Sequence, residues 1–418
     1  MNITLSVTAG PHIGKDFAFE RHDTFLVGRT KDAHFKLSFD DPYFSRRHFL
    51  IEVNPPRCRL IDLNSRNGVC VNGEKVKSAE LKDGDEVRAG HTVFAIHIPP
   101  PDPESQHTLD LPPVPGRTVI GTPTPNLGGF GQSSTMDHVP APEFSIPGYR
   151  LGSEIGRGAM GIVYRATRLS DKTEVAVKTI IPSAGTDTRQ VARFLRQSKV
   201  MARLVHPNII TYLDSGIADP LIYLVMELVE GKDIGEQLKL NGPFAVSKAV
   251  RVVCGLLGGL AYAHEQGIVH RDIKPANVLL GESGKERRVK IADFGLARAY
   301  DECQLSGLTM QGEAGGSPAF MAPEQVTHFR DVRPAADQFG AAASLYNLLT
   351  RKHTHDFPKP VDQQLAMIVS QAPVPIRNRR PDLPQELAAI IHRALSREPD
   401  DRYPDVTAFR NALLPFAK

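Results

Sequence analysis

The chain has 418 residues, which predicts two or three domains at roughly 100–200 residues per domain. Apolar residues make up 41% and charged residues 23%, so a wholly disordered chain is excluded. Lysine plus arginine (50) nearly balances aspartate plus glutamate (47), and this net charge of +3 gives no basis for expecting a nucleic-acid partner or a polybasic membrane anchor.

Cysteine usage and hydropathy narrow the class of protein further. The four cysteines form no CxxC pair, so neither a zinc site nor a disulfide framework is expected. The first residues do not combine a basic segment with a following apolar run, and no stretch approaches the roughly 18 apolar residues of a membrane span. We therefore expect a cytoplasmic protein without a membrane span.

Residues 1–98 have the pattern of a small all-β domain. Short alternating runs at 3–7, 49–53 and 92–96 predict strands, and the turn signals Asn67-Gly68, Asn72-Gly73 and Asp83-Gly84 separate such runs. Because no helical period is sustained here, the segment predicts a β-sandwich.

Residues 99–148 are expected to form an extended, flexible linker. Positions 99–147 hold 12 of the 33 prolines and few charges, a composition that cannot bury a core. Residues 149–418 then open with predicted strands and a glycine-rich loop, and helical periods follow near 188–204, 246–265 and 334–350. This order predicts a small sheet-rich lobe followed by a larger helical lobe, an α+β bilobal domain.

Five short motifs occur in this last segment in a fixed order. The loop Gly156-Arg157-Gly158-Ala159-Met160-Gly161-Ile162-Val163 lets backbone amides approach phosphate oxygens without a Cβ in the way. It is followed by Val175-Ala176-Val177-Lys178, His270-Arg271-Asp272 with Asn277, Asp293-Phe294-Gly295, and Ala322-Pro323-Glu324. Their order and spacing match the protein-kinase signature set, and the segment resembles a eukaryotic-type (Hanks-type) Ser/Thr protein kinase.

The resemblance implies ATP and magnesium as cofactors, with manganese as an alternative ion, and protein Ser/Thr hydroxyls as substrates. It implies three catalytic residues: Asp272 accepts the hydroxyl proton, Lys274 lies near the γ-phosphate, and Lys178 contacts the α- and β-phosphates. Asn277 and Asp293 would supply oxygen ligands to the metal. Lys274 at its position favours Ser/Thr over tyrosine specificity.

The resemblance also implies an ATP-binding set. It comprises Gly156, Gly158, Gly161, Val163, Lys178, the gatekeeper Met226, Glu227 and Val229 in the adenine hinge, and Asp233 near the ribose. The alternative for the charged members is a solvated surface position. That alternative is strongest for Asp233, because this region varies in length.

One position departs from the family pattern. Active kinases pair the strand lysine with a glutamate on the first large helix, and alignment places Gln197 there. Glutamine accepts a hydrogen bond from Lys178 but supplies no charge, so it should hold the lysine less firmly. Two hypotheses follow: an active kinase with a tolerated variant, which we favour, and a pseudokinase-like scaffold that binds phosphothreonine peptides with little turnover.

The resemblance implies regulation by phosphorylation as well. Arg271 precedes the catalytic aspartate, an arrangement that accompanies a phosphorylated activation loop. Thr309 is the first candidate phosphosite of that loop and Ser306 the second. Glu324 and Arg402 match an ion pair that braces the helical lobe, a folding role.

Residues 1–98 carry a second set of motifs. They are Gly28-Arg29, Ser45-Arg46-Arg47-His48, Asp62-Leu63-Asn64-Ser65-Arg66-Asn67-Gly68 and Val71-Asn72-Gly73, and they resemble a forkhead-associated (FHA) domain. The resemblance implies that phosphothreonine peptides bind at loops through Arg29, Ser45, Arg46, Arg66 and Asn67, where guanidinium groups suit phosphate. Gly28 and His48 are expected to shape the loops.

The linker offers three further candidate phosphosites, Thr118, Thr122 and Thr124. We expect the kinase or a partner kinase to phosphorylate one of them and the FHA domain to bind it, in cis or in trans. The alternative is an inert spacer.

Overall fold

A computed structural model describes residues 2–37, 43–100, 144–158, 161–182, 188–219, 221–283, 286–294 and 318–418. Within these ranges the chain forms an N-terminal β-sandwich, a sheet-rich lobe and a helical lobe. The predicted multidomain fold class, an all-β sandwich followed by an α+β bilobal domain, is therefore present.

The N-terminal sandwich consists of two sheets. Its strands are β1 (Ile3–Ala9), β2 (Asp16–Phe19), β3 (Asp23–Gly28), β4 (Phe35–Lys36), β5 (Arg47–Asn54), β6 (Arg57–Asp62), β7 (Val69–Val71), β8 (Glu74–Val76), β9 (Ser78–Leu81), β10 (Glu86–Ala89) and β11 (Thr92–His97). One sheet has the order β2-β1-β11-β10-β7-β8 and the other β4-β3-β5-β6-β9. Leu5, Phe49 and Phe94 pack between the sheets, and the strands predicted at 3–7, 49–53 and 92–96 are all present.

The N-lobe of the second domain is a five-stranded antiparallel sheet with one helix. Its strands are β12 (Tyr149–Gly158), β13 (Gly161–Arg168), β14 (Glu174–Ile180), β15 (Tyr212–Ala218) and β16 (Leu221–Glu227), in the order β12-β13-β14-β16-β15. The helix α1 (Thr188–Met201) ends three residues before the predicted position. Tight turns follow the helix there, and in them the amide of Leu204 donates to the carbonyl of Met201 at 3.0 Å.

The C-lobe is mostly helical. It contains β17 (Gly231–Asp233), α2 (Ile234–Asn241), α3 (Val246–Glu265), β18 (Val278–Ser283), β19 (Glu286–Ile291), α4 (Pro323–Thr327), α5 (Pro334–Thr350), α6 (Val361–Ser370), α7 (Ile376–Arg379), α8 (Gln385–Ala394) and α9 (Val406–Leu413). Helix α5 is buried along almost its whole length, and α3 and α9 pack against it. A helix that is apolar all round belongs in a core, so α5 forms the centre of this lobe.

Helix α3 is long and apolar enough, by length and composition alone, to cross a membrane. Many of its side chains, including Val253, Leu256 and Leu260, are buried in the C-lobe core. The core helix of a globular lobe has the same composition, and the packing of α3 is of that kind.

The outer face of the second sandwich sheet packs on the C-lobe. Leu26, Leu50, Ile61 and Leu63, which we call the docking face, are at most 2% exposed and form one apolar cluster with C-lobe side chains. Those C-lobe side chains are Val326 of α4 and Leu365, Ala366, Ile368 and Val369 of α6. A strand buried on both faces has consecutive apolar residues, as 25–27 and 49–51 do in β3 and β5.

Polar contacts flank this apolar cluster. The guanidinium of Arg330 donates to the carbonyl of His22 at 2.9 and 2.8 Å and lies 3.3 Å from the carboxylate of Asp23. Across the face, the hydroxyl of Ser78 donates to Asp362 of α6 at 2.6 Å. The sandwich and the C-lobe are thus joined by apolar, hydrogen-bonded and ionic contacts.

Acidification is expected to destabilise the folded chain through His34, which lies at this junction. Its Nδ1 accepts the amide hydrogen of Leu26 at 2.9 Å, and its ring centroid is 4.5 Å from that of His328. Burial lowers the pKa of His34 and His328 lowers it further, against smaller opposing effects of Asp23, Asp331 and Asp32. The unfolded chain therefore binds the proton more readily, and stability falls as pH drops below about 6.5.

Thermal unfolding between about pH 7.5 and about pH 5.5 checks this prediction. The melting temperature of the wild type should fall more steeply with acidification than that of a His34→Gln variant. Equal slopes would show that His34 does not contribute.

Candidate active site

A cleft of ≈ 960 Å³ lies between the two lobes. A volume of this size suits a nucleotide-sized ligand. Every residue that the sequence assigned to catalysis, ATP or metal lines it: Gly156, Gly158, Gly161, Val163, Lys178, Met226, Glu227, Val229, Asp233, Asp272, Lys274, Asn277 and Asp293. Motifs more than a hundred residues apart in the chain therefore meet at one site.

Lys178 and Asp293 form an ion pair at the back of the cleft. Lys178 lies on β14, is 6% exposed, and donates from Nζ to both carboxylate oxygens of Asp293 at 2.9 Å. Burial raises the pKa of Asp293, but the charge and hydrogen bonds of Lys178 outweigh burial and hold that pKa below its usual value. The carboxylate of Asp293 is therefore ionised, as a metal ligand must be.

The catalytic loop places three polar side chains together. Lys274 donates from Nζ to Oδ2 of Asp272 at 2.8 Å, and Asn277 donates from Nδ2 to the same oxygen at 3.0 Å. Asn277 also donates to the carbonyl of Asp272 at 2.8 Å. Because Nδ2 of Asn277 is directed at Asp272, its Oδ1 points the other way and is placed to act as an oxygen ligand.

Asp337, which the sequence reasoning missed, anchors this loop from α5. Its carboxylate is buried and accepts the backbone amides of His270 and Arg271, each at 2.8 Å, and a hydrogen bond from His264 at 2.8 Å. Burial raises the pKa of Asp337, but the contacts with His264 and His270 lower it below its usual value. The signal in the sequence was a carboxylate inside an otherwise apolar helix.

Two non-glycine residues at the site have left-handed backbone conformations. Arg271 has φ 70° and Asp293 has φ 59°, which the surrounding contacts must hold in place. Phe294 is fully buried with its ring centroid 4.6 Å from that of His270, whose Nε2 bonds the carbonyl of Ala292 at 2.8 Å. This packing fixes the direction in which the carboxylate of Asp293 enters the cleft.

Glycine is required at one position of the loop above the cleft. Gly161 has φ +142°, and a Cβ there would lie 1.9 Å from the carbonyl oxygen of Thr179. Gly156 and Gly158 pair with Val163 and Gly161 across the β12–β13 hairpin. The hairpin therefore brings its backbone over the cleft, where phosphates would lie.

The hinge segment contributes to the cleft mainly through its backbone. Met226 ends the buried part of β16 and is 5% exposed. The carboxylate of Glu227 accepts hydrogen bonds from Nζ of Lys290 at 2.6 Å and from the amide of Thr211 at 2.8 Å. Its carboxylate is engaged there, and adenine recognition by Glu227 and Val229 stays a prediction.

Asp233 has a structural role beside its place in the cleft. Its Oδ1 accepts the amide hydrogen of Glu236 at 2.8 Å and so caps the N-terminus of α2. The sequence predicted ribose binding, with a solvated surface position as the alternative, and missed the capping role; ribose binding stays a prediction.

Gln197 lies on α1, between two contacts that fix this helix. Phe194 is fully buried in the core, and the hydroxyl of Ser198 donates to that of Ser215 on β15 at 3.0 Å. In the described part of the chain, the carboxylate that holds Lys178 belongs to Asp293. Asp293 is also the predicted metal ligand, so this pair does not replace the glutamate that Gln197 lacks.

The ion pair that the sequence implied in the C-lobe is present. Arg402 is 2% exposed and donates to the two carboxylate oxygens of Glu324 at 2.6 and 2.7 Å. It also donates to the carbonyls of Ser396, Ala335 and Arg397 at 2.8, 2.8 and 3.0 Å. The pair ties α4 to the segment between α8 and α9.

A second candidate site lies at one end of the N-terminal sandwich. The hydroxyl oxygen of Ser45 accepts the amide hydrogen of Arg66 at 2.9 Å, so the two predicted phosphate-binding loops touch. The side-chain amide of Asn67 donates to the carbonyl of Tyr43 at 2.7 Å, so it also joins its loop to the loop of Ser45.

Arg29 and Arg46 are neighbours at this end. The amide of Arg29 donates to the carbonyl of Arg46 at 2.7 Å, and Nε of Arg29 is buried without a hydrogen-bond partner among the described residues. Gly28 allows this approach, since a Cβ there would lie 2.2 Å from the carbonyl oxygen of Arg46. His48 is fully buried and accepts the amide hydrogen of Ser45 at 3.0 Å, in agreement with its predicted role in shaping the loops.

Several predicted positions fall outside the described residues. They are the candidate phosphosites Thr118, Thr122, Thr124, Ser306 and Thr309, together with Ala159 and Met160 of the glycine-rich loop and Gly295. Their proposed roles remain predictions.

Comparison of the sequence with models of known protein families identifies the family of this chain. Residues 149–412 match the model of the protein kinase domain. The chain belongs to the protein kinase family. Residues 25–90 match the model of the FHA domain, so the N-terminal sandwich is an FHA domain.

Individual relatives agree with this assignment. The serine/threonine-protein kinase PkaA of Streptomyces coelicolor is 36% identical over 266 residues, which are 61% of this chain and 47% of that protein. The chain thus spans less than half the length of this curated relative. The kinase domain of Mycobacterium tuberculosis PknI is a similar solved structure, with a TM-score of 0.52, 28% identity, and coverage of 68% of this chain and all of that one.

The structure of Rad53 1-466 in complex with AMP-PNP resembles the whole chain. Its TM-score is 0.53 at 21% identity, and each chain is covered completely. At this identity the likeness concerns the fold.

Proposed function

We propose that the chain is a Ser/Thr protein kinase that transfers the γ-phosphoryl group of ATP to protein hydroxyls. The observation that carries this proposal is the meeting of Lys178, Asp272, Asn277 and Asp293 in one cleft. The four residues come from three motifs, and hydrogen bonds of 2.8–3.0 Å join Lys178 to Asp293 and Asn277 to Asp272. The presence of all four favours an active enzyme over a pseudokinase-like scaffold.

Each group has a place in the transfer. The carboxylate of Asp272 accepts the proton of the attacking hydroxyl, and the ammonium of Lys274, 2.8 Å from that carboxylate, stabilises charge on the transferred group. Lys178 binds the α- and β-phosphates as a point charge. Positioning and electrostatic stabilisation account for most of the catalysis in this reaction class.

The donor set fits magnesium. Oδ1 of Asn277 and the ionised carboxylate of Asp293 are hard oxygen ligands, which magnesium prefers, and manganese accepts the same set. When bound, the ion would neutralise charge on the phosphates.

The purified chain with radiolabelled ATP and magnesium tests this function. Label on phosphoserine and phosphothreonine, found by phosphoamino-acid analysis of a mixed protein substrate, is the expected result. Label on phosphotyrosine alone would overturn the specificity, and absence of label with nucleotide still bound would favour the scaffold.

A Gln197→Glu change is expected to raise kcat by less than about tenfold, equivalent to roughly 1.4 kcal/mol. The physical reason is that burial on β14 already holds Lys178 in the cleft, so the change adds only the difference between a neutral and a charge-assisted hydrogen bond. Initial rates at saturating ATP measure the effect. A much larger gain would mean that the site is damaged in the natural chain.

We propose further that the FHA domain binds phosphothreonine peptides at the loops that contain Arg29, Ser45, Arg46, Arg66 and Asn67. The buried, unpartnered Nε of Arg29 supports this role, because a phosphate would satisfy it.

Arg29→Ala is expected to weaken binding of a phosphothreonine peptide by at least about tenfold, because charge-assisted hydrogen bonds contribute about 1.5–3 kcal/mol. Fluorescence anisotropy with a labelled peptide measures the dissociation constant. Arg57→Ala is the matched control. Arg57 is exposed at the start of β6, where it pairs with the end of β5 that lies away from the phosphopeptide loops. Equal loss in both variants would contradict a specific role for Arg29.

Phosphorylation of Thr309, Ser306 and the linker threonines is part of the same proposal. Mass spectrometry of the active chain, with an Asp272→Asn chain as control, would locate phosphate that depends on its own activity. An unmodified linker would remove the proposed binding of that segment by the FHA domain.

A further inference from the structure

Hydrogen bonds join the FHA domain to the segment that follows α4. Nε2 of His328 bonds the carbonyl of Asp32 at 2.8 Å, and the amide of Phe329 donates to the hydroxyl of Thr24 on β3 at 3.2 Å. These contacts lie beside the docking face, between the apolar cluster and the ion pair of Arg330. The position of residues 328–330 is thus set by the FHA domain.

The same segment is connected to the catalytic loop through α4. The amide of His328 donates to the carbonyl of Glu324 at 2.8 Å. One residue further, the side chain of Gln325 donates to the carbonyl of Arg271 at 2.7 Å. Because Arg271 directly precedes Asp272, these hydrogen bonds and the short stretches of chain between them connect the FHA domain to the catalytic aspartate.

We infer that docking of the FHA domain on α4 and α6 positions the catalytic loop and supports kinase activity. The inference rests on the proposed kinase function and adds a regulatory interface to it. Gln325 is a positioning residue here, since it acts through the main chain before Asp272.

The composition of the interface favours a constitutive contact. Leu365, Ile368 and Val369 of α6 are at most 4% exposed because the FHA domain covers them. Without that cover, α6 would present an apolar face to water, which is unfavourable.

The phosphopeptide loops lie at the edge of this interface. Arg47, two residues after Ser45, donates to Glu398 of the C-lobe at 3.0 Å, and Asn64 donates to the hydroxyl of Ser370 at 3.2 Å. A ligand at these loops that binds the docked and undocked states with different affinity would therefore shift docking, and with it the position of the catalytic loop.

A charge swap across the interface tests the inference. Asp23→Arg and Arg330→Asp each place like charges about 3.3 Å apart, whereas the double variant restores an opposite pair. Each single variant is expected to lower kcat on the order of tenfold with KM for ATP little changed, and the double variant to recover most of the loss. Arg168→Asp, at an exposed N-lobe pair, is the control and should leave kcat unchanged.

Hydrogen exchange in the same variants reports docking independently of activity. Amides of α6 should lose protection in both single variants and regain it in the double variant. Gln325→Ala should lower kcat while leaving the amides of α6 protected. The substitution removes the hydrogen bond to the carbonyl of Arg271 but keeps the contacts between the FHA domain and α6.

The outcomes separate the two proposals. Single variants with lost α6 protection and wild-type kcat would overturn the coupling, and unchanged protection would overturn the interface. A wild-type chain without kinase activity would overturn the proposed function instead, and α6 exchange would then decide the docking alone.

Discussion

An Asp272→Asn chain is expected to lose about 10²–10⁴-fold in kcat, the range that a positioned general base contributes. The asparagine keeps the size of the side chain and can still accept the hydrogen bonds of Lys274 and Asn277, so the loop should retain its conformation. It cannot accept the proton of the attacking hydroxyl. Initial rates with a protein substrate measure the loss.

Nucleotide binding distinguishes a catalytic effect from a folding effect. The dissociation constant for ATP should change little in Asp272→Asn, because Lys178 and the hinge are untouched. Asp382→Asn, at an exposed position of the C-lobe, is the matched control. A kcat within a few-fold of wild type would remove Asp272 from the role of general base.

Arg402→Met is expected to destabilise the C-lobe by about 3–5 kcal/mol, the usual result of breaking a buried ion pair by removing one partner. The substitution leaves the carboxylate of Glu324 without its charge partner and removes the donor to three backbone carbonyls. Glu324 lies in the first turn of α4, next to Gln325. The hydrogen bond from Gln325 to the catalytic loop should therefore loosen as well. Urea unfolding followed by a C-lobe probe measures the loss.

Two further variants give this prediction its controls. Arg402→Met with Glu324→Gln should lose less than the single change, because no unpaired charge remains. Arg377→Met changes an exposed arginine that bonds one carbonyl and should cost less than about 0.5 kcal/mol. If Arg402→Met were as mild as Arg377→Met, the pair would not brace the lobe.

The active site could be predicted in detail because its chemistry depends on residue types at short, fixed spacings. A carboxylate, a lysine and an asparagine within six residues, 272–277, lie close enough in the chain to bond one another directly. The predicted strands of the FHA domain were equally local, since alternation and turn residues specify them.

Other features depended on segments far apart in the sequence. The capping role of Asp233 follows from where α2 begins, and the anchoring role of Asp337 follows from α5 passing beneath the catalytic loop. The ion pair of Lys178 with Asp293 likewise joins residues that are 115 positions apart, which local spacing does not show.

The two domains and the residues that meet in the cleft were predictable, because short motifs and apolar periodicity act over a few residues. The way in which the FHA domain meets the kinase was not. Residues 49–53 were predicted as an alternating strand, whereas β5 is buried on both faces, and the outer partner of its sheet lies some three hundred residues away, in α4 and α6. Apolar burial is non-directional, so composition shows that a face must be covered and only the folded chain shows by what.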